Sequence, residues 1–277
     1  MILMNKKLYL MVSNDCNKNC DHCYMRNKKN KNLKYIKDIN DEVINKIIHY
    51  VNHFNIDDVI LYGYGEPLYS VDINKLVLLV TNINKLTKAK VKLQTNLNYE
   101  LTPVHLLLYK NVDIVKVPFD IGGIRFKSYK ELIQWFYNLR TISKVANDIL
   151  LEITVTKKVY EKTPDKWKHF LNNLIRKGYI KSYCFHSLQL AGNALDNQDK
   201  LLNFSFDKEY AQLISDWNRS MIMKDMKYKS TINREIFSSE YLLKPILLLD
   251  NIETGPYKSY IYKFDSSDII SIVNTND

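Results

Sequence analysis

Short apolar segments of strand length alternate, along the first 190 residues, with longer segments in which apolar residues recur every three or four positions. The short segments predict β-strands, and the longer ones predict amphipathic helices. The predicted strands cover residues 7–12, 58–62, 89–94, 112–117, 149–156 and 182–190. The predicted helices cover residues 41–54, 72–86, 102–109, 128–143, 164–177 and 207–224.

Six strand-then-helix units with short connections require a parallel sheet with helices on its outer side. Since the usual closed barrel has eight such units, six predict an α/β fold of the partial (β/α)6 TIM-like barrel type. Beyond residue 226 the pattern changes: residues 241–249 and 259–264 predict strands, and the apolar segment 268–273 is left unassigned. We expect a barrel domain over 1–226 and a short C-terminal α/β appendage over 227–277 that covers one edge or end of the barrel.

The composition is that of a folded globular protein. The chain has 277 residues, of which 46% are hydrophobic and 25% charged, which is too apolar for a disordered tail. No apolar run approaches the roughly 20 residues that a membrane span requires. We therefore expect a cytoplasmic protein without membrane contact.

The formal charge of +10 raises the question of a nucleic-acid partner, because clustered Lys and Arg release counterions from polyanions. The lysines are scattered through the chain among abundant Asn, Ile and Tyr, and the dense run at 26–31 is short. A general compositional bias explains this spread better than a binding surface does, so a nucleic-acid partner is not favoured.

Three of the four cysteines, Cys16, Cys20 and Cys23, lie within eight residues, directly after the first predicted strand. This C-x3-C-x2-C spacing does not suit a disulfide framework and indicates a metal site in a reducing compartment. Thiolates select an iron–sulfur cluster or zinc. A cubane cluster held by three thiolates keeps one iron open to a substrate or cofactor, whereas a structural zinc site would need His22 or a distant His as its fourth ligand.

The cysteine array resembles that of the radical S-adenosylmethionine (radical SAM) superfamily, and the similarity extends over roughly residues 6–195. Members carry C-x3-C-x2-C after the first strand of a partial (β/α)6 barrel, usually with an aromatic residue before the last cysteine, where this chain has His22. The resemblance implies that Cys16, Cys20 and Cys23 bind a [4Fe-4S] cluster whose open iron is chelated by S-adenosylmethionine. With no cysteine after Cys184, the chain resembles a minimal, single-cluster member.

A second motif follows the second predicted strand. The family usually has Gly-Gly-Glu-Pro there, and this chain has Tyr64-Gly65-Glu66-Pro67, with tyrosine in place of the first glycine. The resemblance implies that Tyr64, Gly65 and Glu66 lie against the methionine part of S-adenosylmethionine. Independently of the family, a residue without Cβ allows close backbone approach at the C-terminal end of a parallel strand.

Polar residues also follow the next three strands: Asn96 after Thr95, Asp120, and Thr156 before Lys157. The C-terminal ends of parallel strands meet at one face of a barrel, so these residues are expected near the cysteine loop. Each one alone is also explained as an ordinary hydrogen-bonding group of a turn. The resemblance implies that together they bind the ribose and the carboxylate of the cofactor.

Cys184 lies on the sixth predicted strand. It is explained either as a small buried hydrophobic residue or, as we consider for catalysis, as a thiol that donates a hydrogen atom to a substrate radical.

The resemblance implies an enzyme. An electron donor of flavodoxin or ferredoxin type would reduce the cluster, S-adenosylmethionine would be cleaved to a 5′-deoxyadenosyl radical, and that radical would abstract hydrogen from a substrate. A peptide or protein substrate is preferred, because the Cys-Tyr ending of the cysteine motif and the Val-x-Phe-Asp-x-Gly strand are similar to those of peptide maturases. The alternatives are a nucleoside, tRNA or other small-molecule substrate and, from another class, a zinc-stabilised RNA-binding module without catalysis.

Overall fold

The computed structural model describes residues 6–23, 35–120, 126–155, 164–187, 259–264 and 268–274. The strands are β1 (Lys6–Ser13), β2 (Asp58–Gly63), β3 (Lys90–Gln94), β4 (Ile114–Asp120), β5 (Ile149–Val155), β6 (Ser182–Ser187), β7 (Ser259–Phe264) and β8 (Asp268–Asn274). The helices are α1 (Asp41–His53), α2 (Pro67–Ser70), α3 (Ile73–Leu86), α4 (Pro103–Asn111), α5 (Tyr129–Ile142) and α6 (Pro164–Arg176). In this part of the chain no helix is both long and apolar enough to cross a membrane.

Strands β1 to β6 form one parallel sheet in which each strand pairs with the one before it in the chain. Helices connect successive strands wherever the connection is described. This is the predicted α/β fold, a partial (β/α)6 TIM-like barrel. Because the strands are parallel, all six carboxyl ends lie at the same edge of the sheet, which we call the C-terminal rim.

The C-terminal hairpin extends this sheet beyond β1. Strand β8 pairs antiparallel with β1, with Leu8 opposite Ile272, and β7 pairs antiparallel with β8. The predicted strand 259–264 is confirmed, and the apolar segment 268–273, which the pattern left unassigned, lies within β8. The predicted strand 241–249 and the predicted helix 207–224 lie outside the described residues.

Capping residues explain why the helices begin close to their predicted starts. The side chains of Asn40, Asp72 and Ser128 each accept a hydrogen bond from a backbone N–H of the first turn that follows. Such N-caps satisfy donors that have no partner within the helix. The capping signal is local, so it is readable in the sequence.

Strand β4 continues further than predicted, to Asp120 instead of residue 117. Proline usually ends a central strand because it lacks the N–H that the ladder needs. Here β3 ends at Gln94, which is opposite Lys116, so no β3 partner is required at Pro118. On the other side, Pro118 remains in register with Glu152 of β5.

The two faces of the sheet differ in character. Alternate strand residues such as Leu8, Leu61 and Val117 pack with the helices in one hydrophobic core. The opposite face, which we call the inner face, carries two ion pairs: Lys92 with Asp58 at 2.6 Å, nearly fully buried, and Lys116 with Glu152 at 2.9 Å.

Candidate metal centre and cofactor site

The cysteine loop, residues 14–23, leaves β1 at the C-terminal rim. Cys20 is buried, Cys16 and Cys23 are partly exposed, and all three thiols are free of disulfides. A backbone hydrogen bond from the Cys23 N–H to the Cys20 carbonyl, at 3.2 Å, tightens the end of the loop. The structure therefore presents three thiols on one short segment at the rim, as the spacing predicted.

The donor set fits a metal cluster. Burial raises the pKa of the Cys16 thiol to about 11; the backbone N–H of Lys18 opposes this, whereas Glu66 and the thiols of Cys23 and Cys20 add to it. A thiol coordinated to a metal is deprotonated outright by the positive charge of that metal, so a bound cluster would offset the effect of burial on Cys16. An iron–sulfur cluster supplies that charge and takes one thiolate per iron.

Within the described ranges, no three His, Cys, Asp or Glu side chains converge on a single metal-ion position. A cubane cluster makes no such demand, because each of its thiolate ligands binds a different iron.

Gly65 packs directly against the cysteine loop. A Cβ atom at this position would lie 1.9 Å from the carbonyl oxygen of Asp15, a distance that atoms cannot adopt. The backbone N–H of Glu66 donates to the same oxygen at 2.8 Å, and the N–H of Tyr64 donates to Ser13 at 2.9 Å. The glycine is thus required by the contact between the turn after β2 and the residue next to Cys16, a reason that its position in the sequence did not reveal.

The Glu66 carboxylate holds the end of β3 beside this turn. It is 2% exposed and accepts hydrogen bonds from the Thr95 hydroxyl at 2.6 Å, the Asn96 N–H at 2.6 Å and the Leu68 N–H at 3.3 Å. The last of these caps α2. Three protein donors therefore occupy the carboxylate, and Glu66 joins the turn after β2 to the residues that follow β3.

Asn96 reaches from the end of β3 to the cysteine loop. Its Nδ2 lies 2.7 Å from Asn17 Oδ1 and 3.9 Å from Cys16 Sγ. Asn17 in turn donates from Nδ2 to the Asn98 carbonyl at 2.6 Å. The loop that carries the first cysteine is thereby fixed to the turn at residues 96–98.

An ion pair between a buried lysine and a partly exposed glutamate fixes the loop to α5. The Lys18 ammonium lies 2.8 Å from the Glu131 carboxylate, and its side chain is only 5% exposed. Burial acts to raise the pKa of Glu131, but the hydrogen bonds from Lys18 and from the Lys127 N–H, together with the positive charges of both lysines, outweigh it and lower that pKa. The loop therefore carries a cation of its own two residues after Cys16.

The remaining predicted site residues are distributed as follows. His22, within the loop, and Tyr64, in the turn after β2, are both buried, and burial raises the pKa of the Tyr64 phenol. Asp120 is in register with Thr154, and Cys184 with Glu152; the side chains of Asp120 and Cys184 lie outside the described residues. Thr156 and Lys157 also lie outside them.

The sequence did not single out four residues that shape the site: Asn17, Lys18, Asn98 and Glu131. Asparagine and lysine are so abundant in this chain that a buried one has no distinguishing signal. The one hint available was the place of Asn17 and Lys18 inside the cysteine motif.

Comparisons with known proteins match the region that contains this loop. The profile of the family described as 4Fe-4S single cluster domain (Fer4_12) matches residues 6–121. A 149-residue match, 28% identical, relates the chain to 7-carboxy-7-deazaguanine synthase of Clostridium acetobutylicum and covers 52% of this chain and 65% of that protein.

Two solved structures share the fold. SuiB of Streptococcus suis matches with a TM-score of 0.57 at 16% identity, over 86% of this chain and 54% of SuiB. The protein anSMEcpe, solved with bound AdoMet and the Kp18Cys peptide, matches with a TM-score of 0.55 at 14% identity, over 80% of this chain and 61% of its own. The matched regions thus span less than two thirds of each of these three relatives. The cysteine loop at the rim of a six-stranded parallel sheet thus lies within a region that matches a 4Fe-4S family, and the chain shares its fold with these two solved structures.

Proposed function

We propose that this protein is an enzyme that cleaves S-adenosylmethionine reductively at a [4Fe-4S] cluster and abstracts a hydrogen atom from a substrate. The observation that carries the proposal is the contact between Gly65 and Asp15. It makes the cysteine loop and the turn after β2 one rigid unit, so a cofactor on the open iron would lie against the backbone of that turn.

The residues of this chain would bind and orient the cofactor. Cys16, Cys20 and Cys23 would hold three irons, and the backbone carbonyl of Tyr64 would accept from the amino group of the methionine moiety. Glu66, whose carboxylate is occupied by three protein donors, would act as a positioning residue. When bound and reduced, the cluster would supply one electron to the cofactor and a Lewis-acidic iron for the amino and carboxylate groups of the methionine moiety.

An external one-electron donor is needed, and we propose a protein of flavodoxin or ferredoxin type. The formal charge of +10 favours an acidic docking face on that donor, because complementary charge speeds association.

For the substrate we propose a peptide or protein. One solved structure of the same fold holds a peptide beside AdoMet, and the Cys-Tyr and Val-x-Phe-Asp-x-Gly motifs support the same class. The inner face offers the Lys116–Glu152 ion pair, whose charged groups can exchange partners with polar groups of an entering chain. A heterocyclic small molecule is the second candidate, favoured by the relative named 7-carboxy-7-deazaguanine synthase.

The proposed chemistry is tested by anaerobic reconstitution of the full chain with iron and sulfide. The protein should be brown and, with dithionite and S-adenosylmethionine, form 5′-deoxyadenosine. Replacement of Cys16, Cys20 and Cys23 together by Ala should abolish iron binding and product while leaving a folded barrel, since the loop lies at the rim. A colourless protein that binds one zinc, or product from the triple variant, would contradict the proposal.

The substrate class is tested by the rate of 5′-deoxyadenosine formation, which a true substrate increases. Mixed linear peptides and mixed purine and deazapurine heterocycles are added in parallel to the reconstituted enzyme. Stimulation by the peptides alone supports a peptide substrate. Stimulation by the heterocycles alone replaces it with the small-molecule class.

A further inference from the structure

The amide of Asn96 is placed to tune the metal centre. We propose that Asn96 donates an N–H hydrogen bond to the sulfur of Cys16 and thereby raises the reduction potential of the cluster. This inference rests on the proposed function, because it presupposes that Cys16 is a cluster ligand. It assigns Asn96 to the cluster, whereas the sequence suggested contact with the cofactor.

The distances allow both N–H bonds of the amide to be used. Asn96 Nδ2 lies 2.7 Å from Asn17 Oδ1 and 3.9 Å from Cys16 Sγ. A carboxamide nitrogen carries two hydrogens. One of them is directed to Asn17, and the other is available to the sulfur.

The orientation of both amides is determined by backbone groups. The Asn98 N–H donates to Asn96 Oδ1 at 2.9 Å, and since an N–H can only donate, the oxygen of Asn96 must face it and the NH₂ must face the cysteine loop. The Asn98 carbonyl accepts from Asn17 Nδ2 at 2.6 Å, which turns Asn17 Oδ1 toward Asn96. The three residues form a closed ring of hydrogen bonds with one N–H left for Cys16.

The turn that carries this ring is held in an uncommon conformation. Leu97 has a φ of 57°, in the left-handed region that non-glycine residues rarely occupy, and its side chain is fully buried. The Asn138 amide, on α5, donates to the carbonyls of Leu97 at 3.1 Å and Tyr99 at 2.6 Å. A strained backbone persists only where the surrounding structure stabilises it. Here Asn138 of α5 and the Glu66 carboxylate both bond to the backbone of this turn.

Hydrogen bonds to cluster sulfurs shift the potential because they stabilise the added negative charge of the reduced state. The reduction adds one electron from the external donor and breaks no bond. The backbone N–H of Lys18 also donates to Cys16 Sγ, at 3.4 Å. Two donors therefore converge on one sulfur, and the side-chain donor can be removed by substitution.

The test is a redox titration of the cluster, followed by electron paramagnetic resonance (EPR) on reconstituted full-length protein without S-adenosylmethionine. Omitting the cofactor separates an effect on the cluster from any contact with the cofactor. Asn96→Leu removes the donor without adding charge, and Asn96→Asp removes it and adds a negative charge. Asn84→Leu is the matched control, since Asn84 donates its amide to a backbone carbonyl, that of Asn111, from an exposed position on α3.

We expect about a tenfold lower ratio of reduced to oxidised cluster in Asn96→Leu at a fixed potential, equivalent to a midpoint about 59 mV more negative for one electron. Asn96→Asp should shift further in the same direction, and Asn84→Leu should match the wild type. Pulsed EPR of protein labelled with ¹⁵N-asparagine should also show a nitrogen coupling that Asn96→Leu loses.

An unchanged midpoint in Asn96→Leu would overturn the inference while leaving the proposed function intact. Loss of the cluster in both Asn96 variants would also overturn it, because Asn96 would then be needed for the shape of the loop. If the wild-type chain binds no cluster, the proposed function fails and this inference fails with it.

Discussion

Gly65 and Asp15 are packed so closely that a Cβ atom on Gly65 would lie 1.9 Å from the Asp15 carbonyl oxygen and 2.2 Å from its carbon. The two residues come from different strand ends, β2 and β1, and Asp15 directly precedes Cys16. The shape of the cysteine loop therefore depends on a residue that binds no metal.

Gly65→Ala should impair cluster assembly as well as cofactor binding. The added methyl group meets backbone, which cannot move aside as a side chain can, so we expect a cost of about 1–3 kcal/mol and displacement of the loop. Iron content after reconstitution and the unfolding free energy measure the two effects. Gly178→Ala is the control: Gly178 has a φ of 70° and open space around it, so the variant should lose about 1–2 kcal/mol of unfolding free energy and keep its iron. Normal iron content in Gly65→Ala would show that the loop adapts.

Glu66→Gln should loosen the link between the turn after β2 and the end of β3. The carboxylate accepts from three donors, and an amide in its place turns an NH₂ group toward one of them. A buried donor without an acceptor costs about 1–3 kcal/mol. Urea unfolding measures the loss, and Glu100→Gln, at an exposed position, is the comparison. Equal stability of the two variants would mean that the hydrogen bonds of Glu66 do not stabilise the link between the turn after β2 and the end of β3.

The ion pair of Lys18 and Glu131 should make stability depend on pH in the acid range. The pKa of Glu131 is lowered from its usual 4.5 in the folded protein, so its carboxylate stabilises the fold above that value, and this contribution is lost as the pH falls through the lower, folded-state pKa. Urea unfolding at about pH 7 and in steps toward about pH 3 should show a steeper loss for the wild type than for Glu131→Gln. If the unfolding free energies of the wild type and Glu131→Gln fall in parallel with pH, the ion pair does not contribute to stability. Glu100→Gln shows how much of the fall is common to any loss of a carboxylate.

Cys184→Ala tests the proposed hydrogen donor. The backbone of Cys184 is in register with Glu152, a residue of the ion pair on the inner face. If its thiol returns a hydrogen atom to a substrate radical, the sulfur is left as a thiyl radical that needs an electron and a proton from the external donor and solvent. In deuterated water the wild-type product should carry solvent deuterium at the repaired carbon. The variant should still form 5′-deoxyadenosine but deliver no such label; an identically labelled product at the same rate would assign Cys184 to packing.

Much of the fold could be predicted from the sequence, because the signals for strands and helices are local. The hydrophobic periodicity located seven of the eight described strands and most of the helices, and caps such as Asn40 and Ser128 marked where helices begin. The grouping of Cys16, Cys20 and Cys23 could also be predicted, since all three cysteines lie on one short loop. The main boundary error, at β4, came from Pro118, whose effect depends on where the neighbouring strand ends.

Contacts between segments that are distant in the chain could be identified only from the tertiary structure. In the ring, Asn17 bonds to Asn96 and Asn98, which are 79 and 81 positions away in the chain. Lys18 pairs with Glu131, which lies on α5. In a chain rich in asparagine and lysine, nothing in the sequence marks which of them will be buried and paired. The sequence by itself determined the parallel α/β architecture and the position of the three clustered cysteines, because hydrophobic period and motif spacing act over a few residues. Only the folded chain decided what surrounds those cysteines, because their hydrogen bonds and nearby ion pairs are set by which strand ends and helices meet at the rim.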